Sequence, residues 1–247
     1  MKLFYPVDAG NCLLQKRKRL RTSTYSSRSL FYLDMRLFKY IKKEFLASLL
    51  ERDQIRIGTL FEYRKDENIE RGDPLEGKGD AYSYIAKGTF ENVTDIPYPF
   101  KTMIMGDGKN IRFVNCTFEA PFDVKDQYIF CTTLAPNKKN MESFECDRCF
   151  EIADLHMFTN RILQTLDWHR KLINPVIGGD MCIYSKTKIL NIRSEEDMSQ
   201  AYFLKEKRLE HQQEYRILFQ TAKEDNITGQ VMIVPGLRNY IREVKLI

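Results

Sequence analysis

"KRLEHQQEYRILF", residues 207–219, changes character in its middle. It opens as a charged, helix-compatible run and, from Glu214, becomes a stretch ending in Ile217, Leu218 and Phe219 that reads as a buried strand. Gln212 and Glu214 stand two residues apart, and on an extended chain that spacing puts both on one side. A carboxylate and an amide thus share one face where a strand enters the core. The bland account is a solvated pair at a helix-to-strand junction. The functional account is two polar groups aimed at one ligand, with Glu214 a pocket carboxylate outside the core. Tyr215 and Arg216 continue the strand, Arg216 with an acid as its partner.

Upstream of this stretch, "SEEDMSQAYFLKEKRLEH" from Ser194 is expected to be a helix that delivers the chain to it. Near the other end of the chain, "RLFKYI" (36–41) has the aromatic content of a strand, and "KKEFLASLLERD" (42–53) follows with Phe45, Leu46, Leu49 and Leu50 at helical spacing. In "QIRIGTLFEYR" (54–64), Ile55, Ile57 and Thr59 alternate with Gln54, Arg56 and Gly58 as in a half-buried strand. The unit is strand, helix, strand. "KDENIERGDPLEGKGD" (65–80) lacks an apolar face, is punctuated by Gly and Pro, and reads as an exposed loop. Beyond it come short β-like runs, "AYSYIA", "IRFVNCTF", "YIFCTT", "CFEIA", "MCIYSKTKIL", "QVMIVP" and "YIREVKLI". A longer helix is expected at "DLHMFTNRILQTLDWHRKL" (154–172), capped by Asp154, with Leu155, Phe158, Ile162 and Leu166 as its apolar stripe. Many strands with few helices predict an α+β fold: a split mixed or antiparallel β-sheet with flanking helices.

At 247 residues and 43% hydrophobic, the chain can bury a sizeable core. Its apolar runs are far shorter than the roughly 20 residues that cross a bilayer. The net charge of +5 is localised. Residues 1–34 carry Lys2, Lys16, Arg17, Lys18, Arg19, Arg21 and Arg28 against Asp8 and Asp34, which leaves 32 basic and 32 acidic residues in the rest. Residues 1–34 are therefore read as a flexible basic extension and 35–247 as a single α+β domain. The six cysteines, without a recognisable secretory signal, are expected to be reduced thiols of a cytoplasmic protein. "CDRC" (146–149) pairs Cys146 with Cys149, but no second pair completes a four-ligand zinc site, so no metal is expected. His156 and His169 read as surface or satisfied histidines.

Common catalytic motifs are missing. There is no Gly-x-Ser-x-Gly elbow, no phosphate-binding Gly-x-x-x-x-Gly-Lys-Ser/Thr loop and no Gly-x-Gly-x-x-Gly. "MGDGKN" (105–110) reads as a hairpin turn. What remains is Gln212-x-Glu214. A held carboxylate beside an amide suits hydrogen bonding to ribose hydroxyls and stabilisation of positive charge at an anomeric carbon, as in glycosidic-bond cleavage.

The order of segments strengthens that reading. "RLFKYIKKEFLASLLERDQIRIGTLFEYRKDENIERGDPLEG", "YIFCTT", "CDRCFEI" and "KEKRLEHQQEYRILF" together resemble a family of bacterial phage-defence or toxin-like proteins whose core is similar to ADP-ribosyltransferases. The resemblance covers about residues 35–90 and 125–235, with "GTLFEYR" to "DPLEG" its most specific part. It implies a split sheet gripping NAD between its halves. It also implies Glu214 as the catalytic carboxylate with Gln212 as its partner, Lys39 and Tyr40 as contacts to the NAD ribose and phosphates, and Tyr63 and Arg64 as flanks of the nicotinamide pocket. The implied reaction expels nicotinamide and transfers ADP-ribose to a protein or nucleic-acid acceptor. Where the best-known branches carry His or Arg on the first strand, this chain has "FKY". Two other readings stand beside the enzyme: a non-catalytic nucleotide-sensing or interaction module of the same fold, and a nucleic-acid-binding protein using the basic tail.

Overall fold

The structure, a computed structural model, describes residues 35–170, 177–194, 196–220 and 227–246. The basic extension, Cys12 included, lies outside the described residues, and so does the side chain of His169. Described in chain order, the elements are β1 (Leu37–Ile41), α1 (Lys43–Arg52), β2 (Gln54–Thr59), α2 (Leu60–Arg64), β3 (Lys78–Asn92), β4 (Lys109–Asp123), β5 (Tyr128–Thr133), α3 (Lys138–Ser143), β6 (Arg148–Ile152), α4 (Leu155–Arg170), β7 (Ile177–Met181), β8 (Ile183–Ser185), β9 (Ile189–Asn191), β10 (Leu204–Glu206), β11 (Glu214–Phe219), β12 (Gln230–Ile233) and β13 (Ile241–Val244). The fold is α+β with strands predominating, as the pattern of short β-like runs predicts.

Within 35–247 the chain forms two compact units. One holds Leu75–Lys125 and Ile183–Arg208; the other holds 35–74, Asp126–Cys182 and 209–246. The first is built on a long β3–β4 hairpin paired from Lys78↔Asp123 to Asn92↔Lys109, with β9 added parallel to β3 and a separate parallel pair of β10 and β8. The "AYSYIA" and "IRFVNCTF" runs lie inside two strands of 15 residues each. "MGDGKN" sits in the connection between them, with Gly106 at φ 90°, but the connection spans residues 93–108 and is no tight turn.

The second unit carries the candidate site. Its sheet runs β12-β2-β5-β1-β6-β13, and β11 branches from β5 and carries β7 on its far side. The branching follows from how β5 is used. One edge of β5 is paired along its whole length with β11, from Glu214↔Thr133 to Phe219↔Tyr128. The other edge is shared: β2 pairs at Gly58↔Ile129 and Thr59↔Tyr128, and β1 at Phe38↔Thr133. The ladder passes from β2 to β1 across Phe130, Cys131 and Thr132, so the sheet divides there.

The strand-helix-strand reading of residues 36–59 agrees with β1, α1 and β2. α1 buries Leu46 and Leu49, while Phe45 and Leu50, expected on the same stripe, are exposed. Asp53 ends this helix in the left-handed conformation at φ 54°. Its carboxylate then accepts from the Gly236 and Arg238 amides, both at 3.0 Å, tying the helix end to the turn after β12. α4 has the expected stripe: Phe158, Ile162 and Leu166 are buried against Phe130, Phe150, Tyr215 and Ile217, and the Asp154 side chain accepts from the Met157 amide at 2.9 Å. A smaller cluster of Phe38, Tyr40, Met141 and Cys149 covers the opposite face of β1 and β6.

Three expectations are corrected. Residues 60–64 are helical: Thr59 accepts from the Glu62 amide while Glu62 accepts from the Thr59 amide, a capping box that stops β2. Residues 196–212 form 3-10 turns on either side of β10 in place of one helix. The segment after α2 is docked, with Asp73 buried and the Asp73 amide donating to the Tyr63 carbonyl at 3.1 Å.

Candidate functional site

Strand alternation assigns the side chains to faces. On β11, Tyr215, Ile217 and Phe219 join the main core, so Glu214 and Arg216 point to the other side of the sheet. Directly opposite them on β5 stand Thr133 and Cys131, and opposite Arg216 on β7 stands Asp180. α2 places Tyr63 over this face. The result is a polar surface of Glu214, Arg216, Cys131, Thr133 and Tyr63 beside the division of the sheet.

Glu214 is 7% exposed and Arg216 1%, so the solvated-pair account of Glu214 does not hold. Glu214 lies outside the main apolar core, on the opposite face of the sheet, but it is buried there. Arg216 Nε donates to Glu214 Oε1 at 2.7 Å, and the acid expected to partner Arg216 is therefore Glu214 itself. Two buried charges are tolerated only when each compensates the other, because an isolated ion loses its hydration.

Tyr63 is hydrogen-bonded with the Cys131 side chain. Burial, then Cys131 and the Glu214 charge, push its phenol well above the ordinary value, against a smaller opposing effect of Arg56. The residue is only partly exposed, and with its phenol raised it is a neutral hydrogen-bond donor at neutral pH. α2 is held in place by its capping box and by Asp126, which accepts from the Phe61 amide at 2.9 Å. Burial raises the Asp126 carboxyl despite those amide bonds.

Lys39 approaches the same point from the core side. Its ammonium donates to the Cys131 carbonyl at 2.7 Å, inside the interval between β2 and β1, and lies 5.0 Å from the Phe130 ring centroid. Lys39 and Tyr63 therefore meet at Cys131, one at its carbonyl and the other at its side chain, and Tyr63 also senses the Glu214 charge. The other three expected residues have other partners. The Tyr40 hydroxyl accepts from the Asn137 amide at 2.8 Å, serving the start of α3. The Arg64 guanidinium stacks on Phe61 at 3.9 Å.

Gln212 is bonded to the segment that follows α2. Its Nε2 donates to the Glu70 carbonyl at 2.6 Å, and His211 Nε2 lies 3.1 Å from the Glu70 carboxylate. Gln212 sits in a 3-10 turn, and Gln213 follows with φ 43°, which breaks the extended geometry the two-residue spacing assumes. Gln212 thus anchors the 65–74 segment. That segment is braced further by Arg71, which pairs with Asp66 at 3.0 Å and donates to the Phe144 carbonyl, and by Asn68, which donates to the Ser143 carbonyl at 3.1 Å.

Cys131, Glu70 and Asp126 carry this geometry without having stood out in the sequence. Cys131 sits inside an ordinary apolar strand, and its importance comes from the ladder that divides around it. The Thr59-x-x-Glu62 spacing is a capping-box signal that the strand reading of 54–64 passed over, and it locates α2 and hence Tyr63. Cys116, Cys131, Cys146, Cys149 and Cys182 are free thiols, and burial pushes Cys149 up to about 12. Among the described residues no group of three His, Cys, Asp or Glu side chains is arranged to hold a metal ion. No helix among them is long and apolar enough to cross a membrane. Comparison of the chain with protein-family models, with curated proteins and with solved structures finds no match.

Proposed function

We propose that the second unit is an ADP-ribosyltransferase-like module that binds NAD at the divided sheet, with Glu214 as its catalytic carboxylate. The observation that supports this reading is the placement on one face of the sheet of a buried carboxylate, on β11, and a neutral phenol bonded at Cys131, where β2 and β1 part along the other edge of β5. In the reaction, the bond between the ribose anomeric carbon and the nicotinamide nitrogen breaks, and nicotinamide leaves with the electron pair. The ribose carries positive charge as it does so, and an anionic Glu214 in a low-dielectric setting stabilises it. An acceptor nucleophile then bonds to the anomeric carbon and gives up its proton. Tyr63 supplies a donor for a ribose hydroxyl or the carboxamide. The acceptor is a protein or a nucleic acid, in a phage-defence or toxin setting.

The Glu214–Arg216 pair favours a second reading, a nucleotide-sensing module that binds without turnover, because the carboxylate already has a buried cationic partner. Calorimetric titration of the full chain with NAD tests what the two share. Saturable binding that is weakened by Tyr63→Phe is expected; a flat titration removes both. The nucleic-acid reading places its contacts in residues 16–28, outside the described residues.

A further inference from the structure

We infer that Arg216 is a positioning residue that holds Glu214 ionised and fixes its direction, a role that rests on the reading of Glu214 as the catalytic carboxylate. Burial by itself drives a carboxyl toward its neutral form, and a neutral acid cannot stabilise an oxocarbenium-like charge. Glu214 is buried, and the guanidinium that offsets this penalty comes from two residues further along the same strand. The spacing makes the pair a property of β11 itself: any segment that stays extended from 214 to 216 sets both groups on one face.

The remaining groups on this face define what Glu214 experiences. On β5 they are Cys131 and Thr133, on α2 the Tyr63 hydroxyl, on β2 Arg56, and on β7 Asp180, which stands opposite Arg216 in the ladder. Asp180 is exposed and its Oδ1 accepts from the Met181 amide, so its charge is screened by solvent. Arg56 is exposed and is paired with Glu62 at 2.8 Å. Arg216 is a fully enclosed cation in direct contact with Glu214.

A guanidinium also fixes direction, because its planar donors hold a carboxylate in one orientation, whereas an ammonium is a point charge. Arg216→Lys is expected to keep Glu214 ionised but loosen its aim. Arg216→Met is expected to remove the contribution of the guanidinium while Glu214 stays buried.

The test combines isotope-edited infrared titration of the Glu214 carboxylate, identified by its loss in Glu214→Gln, with the pH profile of nicotinamide release from NAD. In the unaltered chain the carboxylate band persists through neutral pH. In Arg216→Met it is replaced by the protonated band up to about pH 7 or above. Nicotinamide release then falls about 100-fold at pH 7 and recovers as pH rises through the new value. Arg216→Lys keeps the carboxylate band with a lower rate at every pH. An Arg216→Met carboxylate that titrates as in the unaltered chain overturns the inference, and so does a rate loss equal at all pH. If Arg216→Met does not fold by circular dichroism, Arg216→Lys and Arg216→Gln decide the point by the same bands. If the unaltered chain releases no nicotinamide, the catalytic reading fails while the infrared arm still decides whether Arg216 keeps Glu214 ionised.

Discussion

Arg216 Nε and Glu214 Oε1 are 2.7 Å apart, two residues apart on β11, and both side chains are enclosed. Removing one partner takes away a close compensating charge from the other. Glu214→Ala is therefore expected to destabilise the fold by about 3–5 kcal/mol, measured by urea denaturation, in addition to any loss of chemistry. Glu214→Gln keeps a hydrogen-bond acceptor for Arg216 and is expected to cost less. A surface carboxylate would show no such difference between the two substitutions.

Asp53 offers a separate test of how α1 is fixed. Burial pushes its carboxyl up, but the amides of Arg238 and Gly236 and the Arg238 charge more than offset this, so its folded value lies below the usual one. Asp53→Asn suits the left-handed backbone at this position and still loses the charge-assisted bonds. A loss of about 1.5–3 kcal/mol at pH 7 is expected, measured by thermal or urea unfolding.

The same logic predicts acid sensitivity. Burial raises Asp53 and Asp66, but the amide bonds to each and the Arg71 guanidinium at Asp66 outweigh it; Glu151 is lowered first by its hydrogen bond from Arg36. A depressed folded value means that the unfolded chain binds protons more readily. The stabilisation is therefore present above the ordinary carboxyl values near ~4 and is lost as pH falls through the lower folded ones. The urea midpoint is expected to hold from pH 7 to about pH 5 and to decline below that. In Asp53→Asn the decline is shallower.

Gly72 tests the docked 65–74 segment. A Cβ added there would lie 2.2 Å from the Asp66 carbonyl oxygen, inside the turn where the Gly72 amide donates to the Asn68 carbonyl at 2.7 Å. Backbone must move to admit it. Gly72→Ala is expected to open this segment to limited proteolysis while the sheet stays folded, and Gln212→Ala to do so more mildly by removing one anchor. A cleavage pattern identical to that of the unaltered chain would show that these contacts do not hold the segment.

The strand-helix-strand start, β5 within "YIFCTT", β11 within "EYRILF" and the stripe of α4 were all legible because their apolar periodicity coincides with real burial. Residues 196–212 were misleading for a physical reason. Their composition suits a helix, but Leu204 and Lys205 pair with Ile183 and Tyr184 in a parallel ladder, and tertiary pairing overrides local preference. Gln212 lies in a 3-10 turn and Gln213 follows at positive φ, so the extended spacing read between Gln212 and Glu214 is not kept. The burial of Glu214 was not legible from local sequence, since a charged residue opening a strand reads as solvated unless its partner is known. The division of the sheet at Cys131 lies beyond any local pattern, because it depends on two strands 13 residues or more apart in sequence meeting one edge of a third.

The central claim is that Glu214 acts on the glycosidic bond of NAD. The most direct measurement is nicotinamide release from NAD by the full chain and by Glu214→Gln, each confirmed folded and each supplied with cell extract as a source of acceptors. The account predicts release by the unaltered chain and a fall of about 100-fold or more in the variant. Equal release from both, or none from the unaltered chain while NAD still binds, would contradict it.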